Sequence, residues 1–571
     1  MAVSLLILII IVIVAISMTN QTNTQTHPVR LATIRRLYFY LVALISFIAG
    51  LVGLDSLLSN LSDAWLGSAG LSDINRSGYL RDNIASSASI LLVAAPIFLL
   101  HWGFMQRRQE EPDERGAALR KFFLYGASAV ALGYALTCAY GLLEGMARLA
   151  LGELLAESPI WPADWLHLLL TFVFALLLQI YLHRVLLDDG DYGKEQGLAG
   201  NWRRIYQMLA GLAGLAILIW GAGQILETLW RALVNLIYAS IGADWWRNPL
   251  SDGLALIIVG SVLARVNWQR WRRITVASPD EGRSGWRRFY LYAAVVISAL
   301  AALVPAAELL RQLLLLLFGT TSTSTAALLD NLTSPLAYIP VGVIAWGWHW
   351  RVVRDEMSAY GESSEGATVR RLYYYSVAAT GLALLWFGAT DILQSLLDWL
   401  LVQNPGGEHI WTQPLAEGLS LLAVGAPIWA FHWRAVQRIA RQTDTQGSRE
   451  RASAPRKVYL YGVALVGALL ILFYLAQVVY RLLLLALGAP NANLFSSETV
   501  DHIARSVIAA LLWAVHVLAI RRDGQMGTDA PEPDIQAPTQ DREALHKRIE
   551  QLEKEMADVR DALAKLEVNA E

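Results

Sequence analysis

The chain has 571 residues, 55% of them hydrophobic and only 16% charged, with a mean hydropathy of +0.41. Soluble domains carry about a quarter charged residues, so this composition excludes an ordinary soluble domain and points to a membrane protein. The net charge of −2 gives no basic field for nucleic acid, and the single cysteine, Cys138, rules out an internal disulfide or a multi-cysteine metal cluster.

Residues 1–34 open with an apolar run, 2–17, that has no basic residue before it. A secretory leader has a basic start, so an uncleaved helix is expected, followed by a polar linker. Sixteen residues of helix reach roughly 24 Å, short of a hydrocarbon core near 30 Å, so a peripheral segment is the alternative.

A six-residue motif then recurs. It begins as Arg35-Arg36-Leu37-Tyr38-Phe39-Tyr40 and returns at Arg120, Arg203, Arg287, Arg370 and Arg456. The starts are separated by 85, 83, 84, 83 and 86 residues, a period that implies tandem duplication. The repeats are 35–119, 120–202, 203–286, 287–369, 370–455 and 456–522. Each predicts a long apolar helix, an outer loop, a second apolar helix and a basic loop. The second helices are expected near 83–103, 164–184, 251–268, 335–350, 413–433 and 501–520. The expected fold is therefore all-α: six tandem two-helix transmembrane repeats, about twelve spans, plus an N-terminal span. Two crossings return the chain to its starting side, so the repeats are parallel. A ring and paired halves are both open arrangements.

The five loops joining repeats hold 27 lysines and arginines, against eight in the opposite loops. By the positive-inside bias the joining loops and the C-terminus are cytosolic, in a multi-pass protein of the cell membrane. Several first helices stay apolar for about thirty residues, roughly 45 Å. They are expected to tilt or to bend onto the outer surface, with Pro305 a candidate kink.

Beyond Arg522 a proline-bearing linker, 523–540, leads to 541–571. There Leu545, Ile549, Leu552, Met556, Val559, Leu563 and Leu566 alternate spacings of four and three. That is a coiled-coil seam, implying self-association or a coiled-coil partner. A lone amphipathic helix is the alternative.

Three sets of residues recur by position. Arg35, Arg36, Tyr38 and Tyr40 sit where the chain enters the bilayer, and His101, Trp102, His349, Trp350, His432 and Trp433 where it leaves. Arginine meets lipid phosphate, and aromatic residues with a polar atom favour the headgroup level. Both sets are expected as interface anchors. The alternatives are headgroup-binding sites for the first set and haem or metal ligation for the histidines; Asn267 interrupts the histidine series. The third set lies inside the first helices: Asp55, Glu144, Arg148, Glu227, Arg231, Glu308, Arg311, Asp391, Gln477 and Arg481. Charges there cost about 2.5–3.5 kcal/mol each at mid-bilayer. They are either ties between helices or the lining of a polar path. The acids and prolines that begin the second helices (Asp82, Asp164, Pro249 with Asp252, Pro335, Pro414 with Glu417, Asp501) are read as caps. No catalytic constellation or cofactor loop occurs, so neither an enzyme nor a bound cofactor or metal is expected. The expected role is a membrane scaffold or sensor that self-associates through its coiled coil, with a channel or transporter as the alternative.

Residues 91–108 (LLVAAPIFLLHWGFMQRR) and 421–438 (LLAVGAPIWAFHWRAVQR), with the basic pair and Tyr-x-Tyr, carry a likeness. The pattern resembles the bacterial membrane domain of unknown function fifty-six seventy-one. The likeness extends over residues 35–522. It implies a membrane location and supplies no catalytic residues.

Overall fold

The computed structural model describes residues 27–66, 73–108, 112–152, 162–190, 192–238, 244–319, 325–402, 411–489 and 495–528, with single residues at 549 and 554. The apolar run 2–17 and the coiled-coil seam, apart from Ile549, lie outside these residues. Among them there are fifteen helices and no strand. Twelve are long and apolar enough to cross a membrane.

The first pair is α1 (His27–Leu66) and α2 (Asp73–Arg107). A short α3 (Pro112–Arg115) leads to the second pair, α4 (Ala118–Ala150) and α5 (Pro162–Asp188). The third is α6 (Gly197–Tyr238) and α7 (Arg247–Ala277). After α8 (Pro279–Arg283) come α9 (Gly285–Leu317) and α10 (Thr325–Tyr360), then α11 (Ser364–Leu401) and α12 (Thr412–Ala440). Last, α13 (Thr445–Ala452) precedes α14 (Ala454–Ala486) and α15 (Ser497–Thr528). Among the described residues the short helices occur after the first, third and fifth pairs. The 42 residues of α6 make roughly 63 Å of helix, about twice the hydrocarbon thickness, so it must project beyond the core. Pro305 lies inside α9, which continues past it to Leu317.

Each first helix packs on its own second helix, and close approach of backbones drives this where glycines face each other. A Cβ on Gly388 of α11 would stand 2.7 Å from the Gly418 carbonyl of α12. In a bilayer, dispersion between closely apposed backbones replaces the hydrophobic effect as the force between helices. Consecutive pairs then assemble in one way throughout. Each first helix packs on both helices of the next pair: α1 on α4 and α5, α4 on α6 and α7, α6 on α9 and α10, α9 on α11 and α12, α11 on α14 and α15. The first helices thus form a row, with second helices seated between them. The first and sixth pairs share no substantial interface among the described residues. The array is an open row rather than a ring.

Three main cores are buried along it, with a smaller cluster of Leu215, Ile219 and Ala294 between α6 and α9. The first joins Tyr40, Phe47, Trp102, Phe123 and Leu182 from α1, α2, α4 and α5. The second joins Met208, Trp271, Tyr290 and Val353 from α6, α7, α9 and α10. The third joins Tyr375, Trp433, Tyr459 and Ala519 from α11, α12, α14 and α15. Two pairs therefore make one packed unit, three times over.

Candidate functional site

The recurring motif builds a ladder of buried ion pairs at the end where the joining loops lie, and it alternates. In the first, third and fifth pairs the second basic residue reaches a glutamate on the following short helix. Arg36 Nε donates to Glu114 at 2.7 Å, and Tyr40 donates to the same carboxylate at 2.8 Å. Arg371 and Tyr375 repeat this with Glu450, again at 2.7 and 2.8 Å. In the third pair Met208 stands where that tyrosine would be, and Arg203 joins Arg204 in donating to Glu281, each at 2.7 Å. Burial alone would raise the Glu281 pKa; the hydrogen bonds and charges of Arg204 and Arg203 outweigh it and hold the carboxyl below the ordinary glutamate value.

In the second, fourth and sixth pairs the first basic residue turns inward to an acid that ends its own second helix. Arg120 donates to Asp189 at 2.8 Å, joined by Lys121 at 3.0 Å. Arg287 binds Glu356, and Arg456 donates to Asp523 at 2.7 Å. A tryptophan from the preceding pair lies over each guanidinium: Trp102 over Arg120 at 5.9 Å, Trp271 over Arg287 at 4.8 Å, Trp433 over Arg456 at 5.9 Å. The Arg120, Arg203, Arg287 and Arg456 side chains are 0–2% exposed. A guanidinium so enclosed is tolerable only when paired.

A third contact joins one unit to the next. Tyr125 donates to Glu195 at 2.6 Å, and Arg203 Nε lies 2.9 Å from the same carboxylate. Arg370 pairs with Glu362 at 2.9 Å at the following boundary.

This geometry corrects part of the anchor reading. Arg35 and Tyr38 are exposed, Arg36, Trp350 and His432 are half-buried, but Tyr40, His101, Trp102, His349 and Trp433 are enclosed by protein. Helix crossing turns that side of each motif toward the adjacent pair rather than toward lipid. The histidines share a second constraint. Nδ1 of His101, His349, His432 and His516 donates to the carbonyl four residues back, at 2.7–2.8 Å. With Nδ1 donating, Nε2 accepts, and in His516 it takes the Tyr459 hydroxyl at 3.0 Å. These four histidines lie one each in the first, fourth, fifth and sixth pairs.

At the opposite end several polar residues of the first helices meet a helix of a neighbouring pair. Asp55 on α1 lies 2.8 Å from Nε2 of His167 on α5. Asp252 on α7 accepts from Tyr140 on α4 and, at 2.9 Å, from Gln224 on α6. Arg231 on α6 contacts Glu227 at 3.1 Å and Asp330 on α10 at 3.3 Å. Arg311 donates to Glu308 at 2.7 Å and is within electrostatic reach of Glu417 on α12. Asp391 shares the last junction with Arg505, whose guanidinium is bound to Asp501 and lies over Trp386 at 5.7 Å. Glu144 pairs with Arg148 within α4, Arg481 of α14 with Glu498 of α15, and Gln477 is half-buried on α14. Among the described residues these groups are spread along the row, with Glu417 in reach of both Arg311 and Asp391.

Two further expectations are corrected. The second helices start earlier than expected, so Asp82, Asp252, Pro335, Glu417 and Asp501 lie inside helices and are not caps; Asp252 and Asp501 are tie residues. The linker does not begin at 523, because α15 continues to Thr528 and Asp523 is held by Arg456. The loop acids of the ladder went unread in the sequence, although they recur 77–79 residues after Arg36, Arg204 and Arg371 and 67–69 residues after Arg120, Arg287 and Arg456.

An all-helical chain with twelve spanning helices in a repeated row is a multi-pass membrane protein. It belongs to the family of the domain of unknown function DUF5671, whose profile matches residues 36–179, 204–333 and 371–515. The three matches begin at Arg36, Arg204 and Arg371, the second basic residues of the odd pairs. The family domain accordingly corresponds to the two-pair unit that the cores and ion pairs define. No curated protein and no solved structure matches the chain.

Proposed function

We propose that this protein is a non-enzymatic membrane scaffold or sensor that gathers copies or partners through residues 541–571. The observation that carries this reading is how the intramembrane polar groups are spent. Asp55, Asp252 and Arg231 tie neighbouring pairs along an open row, and Glu144 with Arg148 and Arg481 with Glu498 are spent within their own pairs, whereas a transporter needs such groups around a shared path. The spacing of Leu545 through Leu566 supports assembly of the tail.

The test counts copies. Fluorescently labelled full chain and a version lacking 541–571 are captured in native nanodiscs and bleached stepwise. More than one copy for the full chain and fewer after truncation is the expected result; a full chain that is always single would sink the reading. Cysteines at Glu308 and Asp391, in a Cys138→Ala background, separate it from transport. Labelling by an impermeant thiol reagent from both membrane faces would favour a water path instead.

A further inference from the structure

The open row has two ends, and they complement each other. At both internal boundaries between four-helix units, two motif tyrosines meet. The Tyr125 and Tyr206 rings are 5.7 Å apart, and Tyr292 and Tyr373 stack at 4.6 Å. Tyr125 and Tyr292, five residues after their first arginines, are 4% and 5% exposed. The same position in the sixth pair is Tyr461, which is 59% exposed. Tyr206 and Tyr373 lie three residues after theirs; the same position in the first pair is Tyr38, 57% exposed. Arg35, the counterpart of Arg203 and Arg370, is exposed as well. The row therefore ends on the two halves of its own internal joint.

The helices carry the same message. In every later pair, the preceding first helix covers the groove between first and second helix. On α1 and α2 that groove is open among the described residues: a cavity of about 550 Å³ lies between Val42, Ile45 and Ala49 on one side and Ile90 and Val93 on the other. Val42, Ile45 and Ala49 lie about 200° around the helix from Tyr40, Ala43 and Phe47, which face the first core. At the far end, α14 is a first helix with no following pair, and it is the least buried of the twelve.

We propose that α14 of one copy seats in the α1–α2 groove of a second copy, with Tyr461 against Tyr38. All pairs run parallel, so copies in one membrane present these ends with matching polarity. The contact is heterologous, and heterologous contacts build rings or open filaments. This deepens the scaffold reading by naming a second copy as the partner of the row's ends, and it does not require the tail.

The test is disulfide trapping in native membranes. Two differently tagged chains in a Cys138→Ala background, one Tyr38→Cys and one Tyr461→Cys, are co-expressed and oxidised with copper phenanthroline. A single chain with Tyr292→Cys and Tyr373→Cys reports that oxidation works. The expected product is a mixed dimer, absent when either variant is alone, and a ladder of multimers when one chain carries both cysteines. It should persist after removal of 541–571. A dimer from either variant alone, loss of the product on truncation, or no mixed product overturns the proposal; the last is the result if lipid or residues 2–17 fill the groove. Multiple copies in the bleaching experiment without a mixed product would reject the end contact and leave the scaffold reading standing. Single copies throughout would reject both.

Discussion

Replacing Asp189 by alanine should be the most damaging single change in the ladder. Its carboxylate accepts from Arg120 Nε and Nη2 and from Lys121 Nζ, at 2.8–3.1 Å. Both cationic side chains are fully enclosed, and the acid itself is 1% exposed. Asp189→Ala leaves two positive charges in a site that water does not reach. Removing one partner of a buried pair costs about 3–5 kcal/mol, which is roughly a hundred- to several-thousand-fold in the unfolding equilibrium. Asp244→Ala is the control, because Asp244, which pairs with Arg247, lies ahead of α7 and is 66% exposed; an exposed pair contributes about 0–1 kcal/mol. Unfolding in mixed micelles of rising SDS fraction, followed by tryptophan fluorescence, gives both differences. Replacing the whole cluster by apolar residues, Arg120→Met, Lys121→Met and Asp189→Leu together, should recover most of the loss, since no buried charge is left without its partner. If Asp189→Ala costs no more than Asp244→Ala, the enclosed ion pair is not what holds α4 to α5, and the reasoning fails.

Two other predictions use the same assay or simple thermal unfolding. Gly388→Leu should destabilise by about 1–3 kcal/mol or more through overpacking, because even a Cβ there stands 2.7 Å from both the Gly418 carbonyl oxygen and the Leu422 nitrogen; Gly462→Ala, where a Cβ meets nothing within 4 Å, should be close to neutral. Glu281 has a lowered pKa in the folded protein, so its contribution is present above the unfolded value of about 4.3 and is lost as pH falls through the folded value. Melting temperatures measured down into that acid range should fall less steeply for Glu281→Gln than for the natural chain, from a lower starting point at neutral pH; parallel curves would remove Glu281 from the acid response.

Much of the fold was written locally. Hydropathy is a property of neighbouring residues, and the Arg-Arg-x-Tyr recurrence is a property of one strip of chain, so six repeats and twelve spanning helices could be read directly. The site was less legible. Asp55, Glu227, Glu308 and Asp391 stood out because an acid in an apolar run is conspicuous, but His167, Asp252 and Asp330, which meet the first helices from the next pair, carried no such signal. The acids of the ladder were also hidden, since Glu114, Asp189 and Glu450 look like ordinary loop and helix-end residues.

The sequence by itself determined the period, the twelve spans of the repeats and the sorting of basic residues to one end, because burial in lipid and charge at its surface act residue by residue. Only the tertiary structure decided that the motif has two uses, odd pairs reaching forward to a short helix and even pairs turning inward to Asp189, Glu356 and Asp523. The physical reason is that a guanidinium takes whichever carboxylate the crossing of the helices brings within about 3 Å. Partners 67–79 residues away along the chain are chosen by that packing, and so is the open row that leaves Tyr38 at one end and Tyr461 at the other.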